Sequence, residues 1–517
     1  MPFDLYGYWP SLLAGAWTTV TVALASVVIA LTLGLSGALA KLSRSRVAAG
    51  TAAAYTTVIR GVPDLVLMLL IYFGGQIFVN WVAPMLGHED YIDVNPWIAG
   101  VLTIGFIYGA YMTETFRGAI LAVPKGQIEA AEAYGMSRAQ VLFNVLAPQM
   151  IRHALPGLTN NWLVLMKTTA LVSVIGLDDI VRRADLAGKS VREPFLFFIA
   201  VALVYLLFTS ATAPALQRLE GKEIKPFHRL AWLFDRAARI DLPALQRLLG
   251  WVLRGLGYAL VLLLVSGFVW FLAFGFDWGL VWRNLPWYFA GTGVTLALVA
   301  AALVLGLALA IPLSIARCSA NPLLNGPVWV FTYVFRGTPL LVQLYVVYYG
   351  FSQFEGLRES WAWVLIDEAW KCALITFTLN TAAYTAEILR GAIQRTPLGE
   401  VEAARACGMS RALELRRILL PSAMRRALPA YGNEMIFMLH GSAVASIVTV
   451  EDLLGVARII NSRTYAPYEA YLTAGVFYCV LTFAIVLFVR WLEARYLRHL
   501  RARPDQIGAQ PAPVPAA

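Results

Sequence analysis

Glu434 is an acid where a solvated side chain does not belong. It lies about ten residues inside an apolar run, which at 1.5 Å per residue puts it ~15 Å deep, near the middle of a ~30 Å hydrocarbon core. A carboxylate at that depth is costly and normally serves a cavity or a partner. The groups it can hold are an ammonium or a guanidinium. The matching position in an earlier run is Asn161, so one acid answers one amide, an asymmetric arrangement suited to a single cationic side chain or an α-ammonium group. Asn160 and Asn433 add amides at the same level. Lys167 and His440 follow farther along the same two helices, toward the outer face, as gate residues or contacts for a carboxylate. Plainer roles stand beside each reading: hydrogen bonds between helices for Glu434 and the asparagines, and snorkelling to the interface for Lys167 and His440.

Covalent chemistry finds no support. Gly188-Lys189-Ser190 is the one Gly-Lys-Ser, and it lacks the Gly that a phosphate-binding loop needs five residues earlier, where Arg183 stands. The chain therefore carries no ATPase of its own. Cys318, Cys372, Cys407 and Cys479 form no close pair and no CxxC, which supports neither a disulfide framework nor a zinc site.

The elements that position these residues are membrane helices. With 59% hydrophobic residues, 14% charged residues and a mean hydropathy of +0.66, the chain is far more apolar than a globular protein. The net charge of +10 sits in short connectors between apolar runs. There positive residues mark the cytoplasmic side, so the charge does not imply nucleic acid. Residues 1–9 lack a basic region, and no cleavable signal peptide is expected.

Spans of suitable length fall near 12–40, 62–82, 97–120, 151–175 and 195–216, then 251–274, then 287–316, 328–350, 370–394, 424–449 and 470–492. Lys41, Arg44 and Arg46 follow the first span, whereas the connector 84–96 has four His or acidic residues and no Lys or Arg. The N-terminus is then outside and the first connector cytoplasmic. Connector 176–194 carries Arg182, Arg183, Lys189 and Arg192 on the side assigned as external, balanced by four acids, and reads as a short interfacial helix. The linker 217–250 is basic and fits the inside. The tail 499–517 is expected to be disordered.

Residues 114–138 return as 387–411, an offset of 273, with fifteen of 25 positions identical. Arg60-Gly61-Val62-Pro63 likewise returns as Arg336-Gly337-Thr338-Pro339. Both repeats run in the same direction, which implies a pseudo-twofold axis along the membrane normal. Both polar hairpins must reach the same face, and the extra span 251–274 is what allows it. In each hairpin a Pro (Pro124, Pro397) opens a short helix. Glu129-Ala130-Ala131 or Glu402-Ala403-Ala404 follows, and Gly135 or Gly408 ends it in a left-handed residue. Ser137 with Gln140 can cap the next helix, a pattern Leu413 breaks in the second copy. The paired alanines give a low-relief surface that another protein's groove can approach closely; a plain interfacial tie between spans is the other reading.

The pattern Glu-Ala-Ala, three residues, Gly, then Leu-x-Pro, ending at Pro148 and Pro421, resembles the cytoplasmic loop of permeases in binding-protein-dependent ABC importers. Phe116-Arg117-Gly118-Ala119-Ile120 and Leu165-Met166-Lys167-Thr168-Thr169 are similar to the Q-type subunit of histidine and basic amino-acid importers. Met438-Leu439-His440-Gly441-Ser442 and Pro467-Tyr468-Glu469-Ala470-Tyr471 are similar to its M-type partner. Opine importers share these features, and His440 stands where many amino-acid permeases carry Lys.

The resemblance implies an all-α polytopic membrane protein of about eleven spans, two parallel five-helix type I permease repeats fused in one chain. The first repeat is 1–218, a linker and connecting helix fill 219–284, and the second repeat is 285–498. It also implies the partners: a homodimeric ABC ATPase that binds ATP and Mg and docks on both hairpins from the cytoplasm, a periplasmic amino-acid-binding protein, and an amino-acid substrate, most simply a basic one. The setting is a bacterial inner membrane, with the C-terminus cytoplasmic. The rival class is an ATP-independent duplicated carrier or channel.

Overall fold

In a computed structural model of the chain, residues 2–220, 227–230, 232, 255, 257–259, 261–263 and 265–497 are described. Most of the linker 217–250 and all of the tail 499–517 lie outside them. Among the described residues every regular element is helical.

The first repeat runs α1 (Trp9–Leu42), α2 (Arg46–Ile59), α3 (Asp64–Val82), α4 (Pro96–Ala122), α5 (Lys125–Ala133), α6 (Ala147–Thr168), α7 (Ile180–Val191) and α8 (Pro194–Glu220). A connecting helix, α9 (Gly257–Gly275), follows. The second repeat gives the same succession: α10 (Trp278–Arg317), α11 (Pro322–Gly337), α12 (Leu340–Tyr345), α13 (Ala369–Gln394), α14 (Leu398–Ala406), α15 (Leu420–Ser442), α16 (Leu453–Thr464) and α17 (Pro467–Tyr496). The short helices of connector 176–194 and its counterpart, α7 and α16, match the expected short helix.

Among the described residues eight helices are long and apolar enough to cross a membrane, nine if one bent pair counts as a span. Eleven were expected, and the difference has two physical sources. The run 328–350 is not one continuous span: α11 and the helix that follows it meet at 108°. Pro339 cannot donate to the ladder and pushes Thr338 out of the helical region. The expected spans 151–175 and 424–449 are helical, yet α6 holds Pro156, Asn160, Asn161 and Lys167, and α15 holds Pro429, Asn433, Glu434 and His440. Those residues lower the hydropathy below that of a lipid-facing helix. Both α-helices also end early, at Thr168 and Ser442, and pass into 3-10 turns.

Small residues let the helices approach. A Cβ on Gly34 of α1 would lie 2.6 Å from the Met112 Cβ of α4, and one on Gly105 of α4 only 2.7 Å from Ile29. Close backbone contact of this kind drives helix association where the surroundings are as apolar as the interface. In the second repeat Ala310, Ala386, Leu389, Ala392, Ala423 and Ala427 form a buried cluster shared by α10, α13 and α15.

Compactness divides the chain differently from its repeats. One unit joins residues 1–294 with 337–372 and 443–478; the other joins 295–336, 373–442 and 479–517. Inside the first unit, parts of the second repeat pack on the first. The Phe198 ring of α8 meets Tyr345 at 4.9 Å. Thr209 donates to the Gly337 carbonyl at 3.0 Å, and Gln353 Nε2 donates to Glu193 at 3.0 Å.

Candidate functional site

Each hairpin is built by its sequence. Pro124 and Pro397 stand at the N-caps of α5 and α14. At the other end Gly135 (φ +77°) and Gly408 (φ +72°) take the left-handed conformation. The Met136 and Met409 amides then reach the Ala131 and Ala404 carbonyls at 3.1 Å, and the glycine amides reach Glu132 and Arg405. This paired bonding satisfies the last carbonyls of the short helices. Ser137 and Gln140 form the expected reciprocal cap, whereas in the second copy only the Ser410 hydroxyl accepts, from the Leu413 amide.

The outcome on the surface is the same twice. Ala131 and Ala404 are buried and hold the short helix down. Glu129, Ala130, Glu402 and Ala403 are exposed. An acid beside a small side chain on an exposed helix is a flat, negatively charged step that a partner's groove can cover.

Above each hairpin an ion-pair network ties three helices. Glu387 on α13 binds Arg317 at the end of α10 (2.9 Å) and Arg390 (2.8 Å), with Arg336 at 4.0 Å. Glu114 on α4 binds Lys41 at the end of α1, and Arg117 at 3.6 Å; Lys41 also donates to Thr56 of α2 at 2.7 Å. The i,i+3 pairs with Arg117 and Arg390 are visible in sequence. The cross-helix cations are the additional finding, and their signal was that Lys41 and Arg317 recur at the same 276-residue offset as Arg60 and Arg336.

The candidate substrate residues are spread over helix faces. Glu434 is 5% exposed and accepts from Thr381 Oγ1 of α13 at 3.0 Å, while its neighbour Asn433 is exposed. His440, six residues on, bonds Thr482 of α17 at 3.0 Å, so it turns to a different helix from Glu434. On α6, Asn161 Nδ2 donates to Thr115 of α4 at 3.1 Å. Asn160 is exposed, and Lys167 is half-buried next to the end of the helix.

Three acids have roles that the sequence reading did not assign: the half-buried Asp64 and the buried Asp179 and Asp452. Asp64 opens α3 and takes the Tyr108 hydroxyl at 3.5 Å; an acid two residues inside the predicted span 62–82 was the available signal. Asp179 and Asp452 cap α7 and α16, accepting from the Arg182 amide at 2.9 Å and the Gly455 amide at 2.8 Å. Each is fully buried. Burial pushes each carboxyl up to about 8, against the opposing pull of the backbone donors. They stand 273 residues apart, like the hairpins.

The family described as binding-protein-dependent transport system inner membrane component matches residues 13–220 and 302–498. The histidine/lysine/arginine/ornithine permease HisQ of Salmonella typhimurium is 54% identical over 218 residues, 42% of this chain and 95% of its own length. HisM of the same organism is 44% identical over 230 residues, 43% of this chain and 97% of its own. The nopaline permease NocM of Agrobacterium fabrum is 41% identical over 228 residues, 44% and 95%. A crystal structure of an amino acid ABC transporter with histidines shares 32% identity and covers 41% of this chain and 95% of that chain, at a TM-score of 0.37.

Proposed function

The chain belongs to the binding-protein-dependent transport system inner membrane components, with two copies in one polypeptide, and from that premise we propose that it forms the membrane pathway of an ATP-driven importer of basic amino acids. It is a fusion of Q-type and M-type permease subunits, works with a separate ATPase and a substrate-binding protein, and lacks an ATPase itself. Relatives named for histidine, lysine, arginine and ornithine support the substrate class. The nopaline relative keeps an opine as the second reading.

In this reading a homodimeric ATPase binds ATP and Mg2+ and seats one subunit on each hairpin at the cytoplasmic face. The observation that carries it is the twofold hairpin: the same left-handed Gly, the same buried Ala and the same exposed Glu-Ala step in both repeats. A dimeric motor needs two equivalent docking steps, and a rigid turn transmits its motion to α6 and α15. Those are the helices that carry Asn161 and Glu434. Glu434 holds the cationic end of the substrate, its carboxylate oriented by the Thr381 hydroxyl. The proposal extends to Asn433, Asn160 and Asn161 as further substrate contacts and to Lys167 and His440 as gate or carboxylate contacts. The setting is the bacterial inner membrane, N-terminus outside and C-terminus inside, with the binding protein delivering substrate from the periplasm.

The test is uptake of labelled arginine and histidine into proteoliposomes holding the chain. Uptake is expected only with ATPase, ATP and binding protein together. Counterflow without any ATPase would replace the importer by a carrier.

A further inference from the structure

We infer that the cleft beside the second hairpin binds the phosphate headgroup of an anionic lipid. The cleft is a cavity of about 300 Å3 between Glu400 on α14 and the helical surface that leads into α15. On that surface Arg417, Pro421 and Arg425 fall at four-residue steps, and so do Ile418, Ser422 and Arg426. Two adjacent stripes of one helix therefore line the same wall.

The charges in the cleft do not cancel. Glu400 is already satisfied: Arg426 Nη2 reaches its Oε1 at 3.0 Å and the Ser422 hydroxyl donates to its Oε2 at 3.1 Å. Arg426 also donates to the Arg395 carbonyl at 2.9 Å. Arg417 and Arg425 are exposed and have no ion pair among the described residues. Two guanidinium forks facing one cavity match the oxygens of a phosphate in geometry as well as charge.

The surroundings select a lipid over a soluble anion. The wall between the arginines is Ile418 and Pro421, and exposed Leu398 and Met424 flank the cleft in sequence. Apolar groups beside a basic pocket at the cytoplasmic end of a membrane helix suit a glycerol and acyl chain below the phosphate. The first repeat has no equivalent: at the matching positions stand Gln127, Asn144, Gln149, Arg152 and His153. One site per chain follows, in the cytoplasmic leaflet on the topology proposed above.

Native mass spectrometry of the full-length chain with its ATPase tests this, titrating phosphatidylglycerol against phosphatidylcholine of the same acyl chains. One phosphatidylglycerol is expected to be held preferentially. Arg417→Gln with Arg425→Gln should weaken it about tenfold or more, whereas Lys at both sites should keep part of it and Arg152→Gln should leave it unchanged. Both arginines are exposed, so the variants fold, and the elution profile checks that. Equal retention by the Gln variant, or equal retention of the two lipids, overturns the site. Displacement by millimolar inorganic phosphate would make it a soluble-anion site instead. Loss of the ATPase with lipid retention unchanged would make the cleft a motor contact, and either result removes the lipid.

Discussion

The two hairpins share a backbone and differ in charge. Over residues 395–426 seven Lys or Arg stand against three acids; over the equivalent 122–153, three stand against two. The second copy also has a bidentate pair, Arg405 to Glu414 at 3.0 and 3.3 Å, where the first has Glu132 and Val141. What stayed equal is what fixes the turn: the proline, the left-handed glycine and the buried alanine. What diverged is side-chain electrostatics. The two helices we propose as the pathway show the same split, with Asn161 on α6 and Glu434 on α15 at matching positions. The turn-forming residues stand in equal pairs, and the polar side chains around them differ between the copies.

Breaking the asymmetry of the pathway should have the largest effect. Glu434→Ala is expected to cut arginine and histidine uptake at least tenfold, with ATPase co-purification intact, while Asn161→Ala changes uptake about twofold; removing a buried ionic partner costs about 2–5 kcal/mol in comparable contacts. If both variants transport alike, the specialisation of α15 is wrong. The equality of the hairpins is tested next. Glu129→Lys and Glu402→Lys should each weaken ATPase retention on an affinity column, and the double variant should abolish it. A single variant that loses all binding would show that the copies are not equivalent.

The ion-pair networks give a smaller contrast. Glu387→Gln leaves Arg317 and Arg390 without their carboxylate and should destabilise the chain by about 1–3 kcal/mol. Glu114→Gln should cost less, because Lys41 keeps Thr56. Unfolding in detergent measures both. The helix caps should show the smallest difference. Asp179 and Asp452, held near 8 against about 4 when unfolded, keep a proton that the unfolded chain loses between those values. Stability therefore falls as pH rises through that window and levels above 8. Asn caps a helix as well as Asp, so Asp179→Asn with Asp452→Asn should flatten this slope. An unchanged slope would place the titration elsewhere.

Much of this was legible in the chain. The repeat offset located the two hairpins, because a duplicated sequence repeats its turn residues. The Gly135 and Gly408 turns were readable because few residues tolerate positive φ. Less readable were groups whose partners are far away in sequence. Nothing near Glu114 pointed to Lys41, and nothing near Glu434 pointed to Thr381. The break at Pro339 was missed because the hydropathy there stays high across a residue that stops a helix.

By itself the sequence determined a membrane protein made of two like-directed halves, the two hairpins and the acid inside α15. Those are properties of composition, period and local backbone chemistry, which act over a few residues. Only the tertiary structure decided which helices meet, that 337–372 and 443–478 join the first half in one compact unit, and that two exposed arginines share a cleft with Glu400. Such pairings depend on where small residues let backbones approach, and that information is spread over helices hundreds of residues apart.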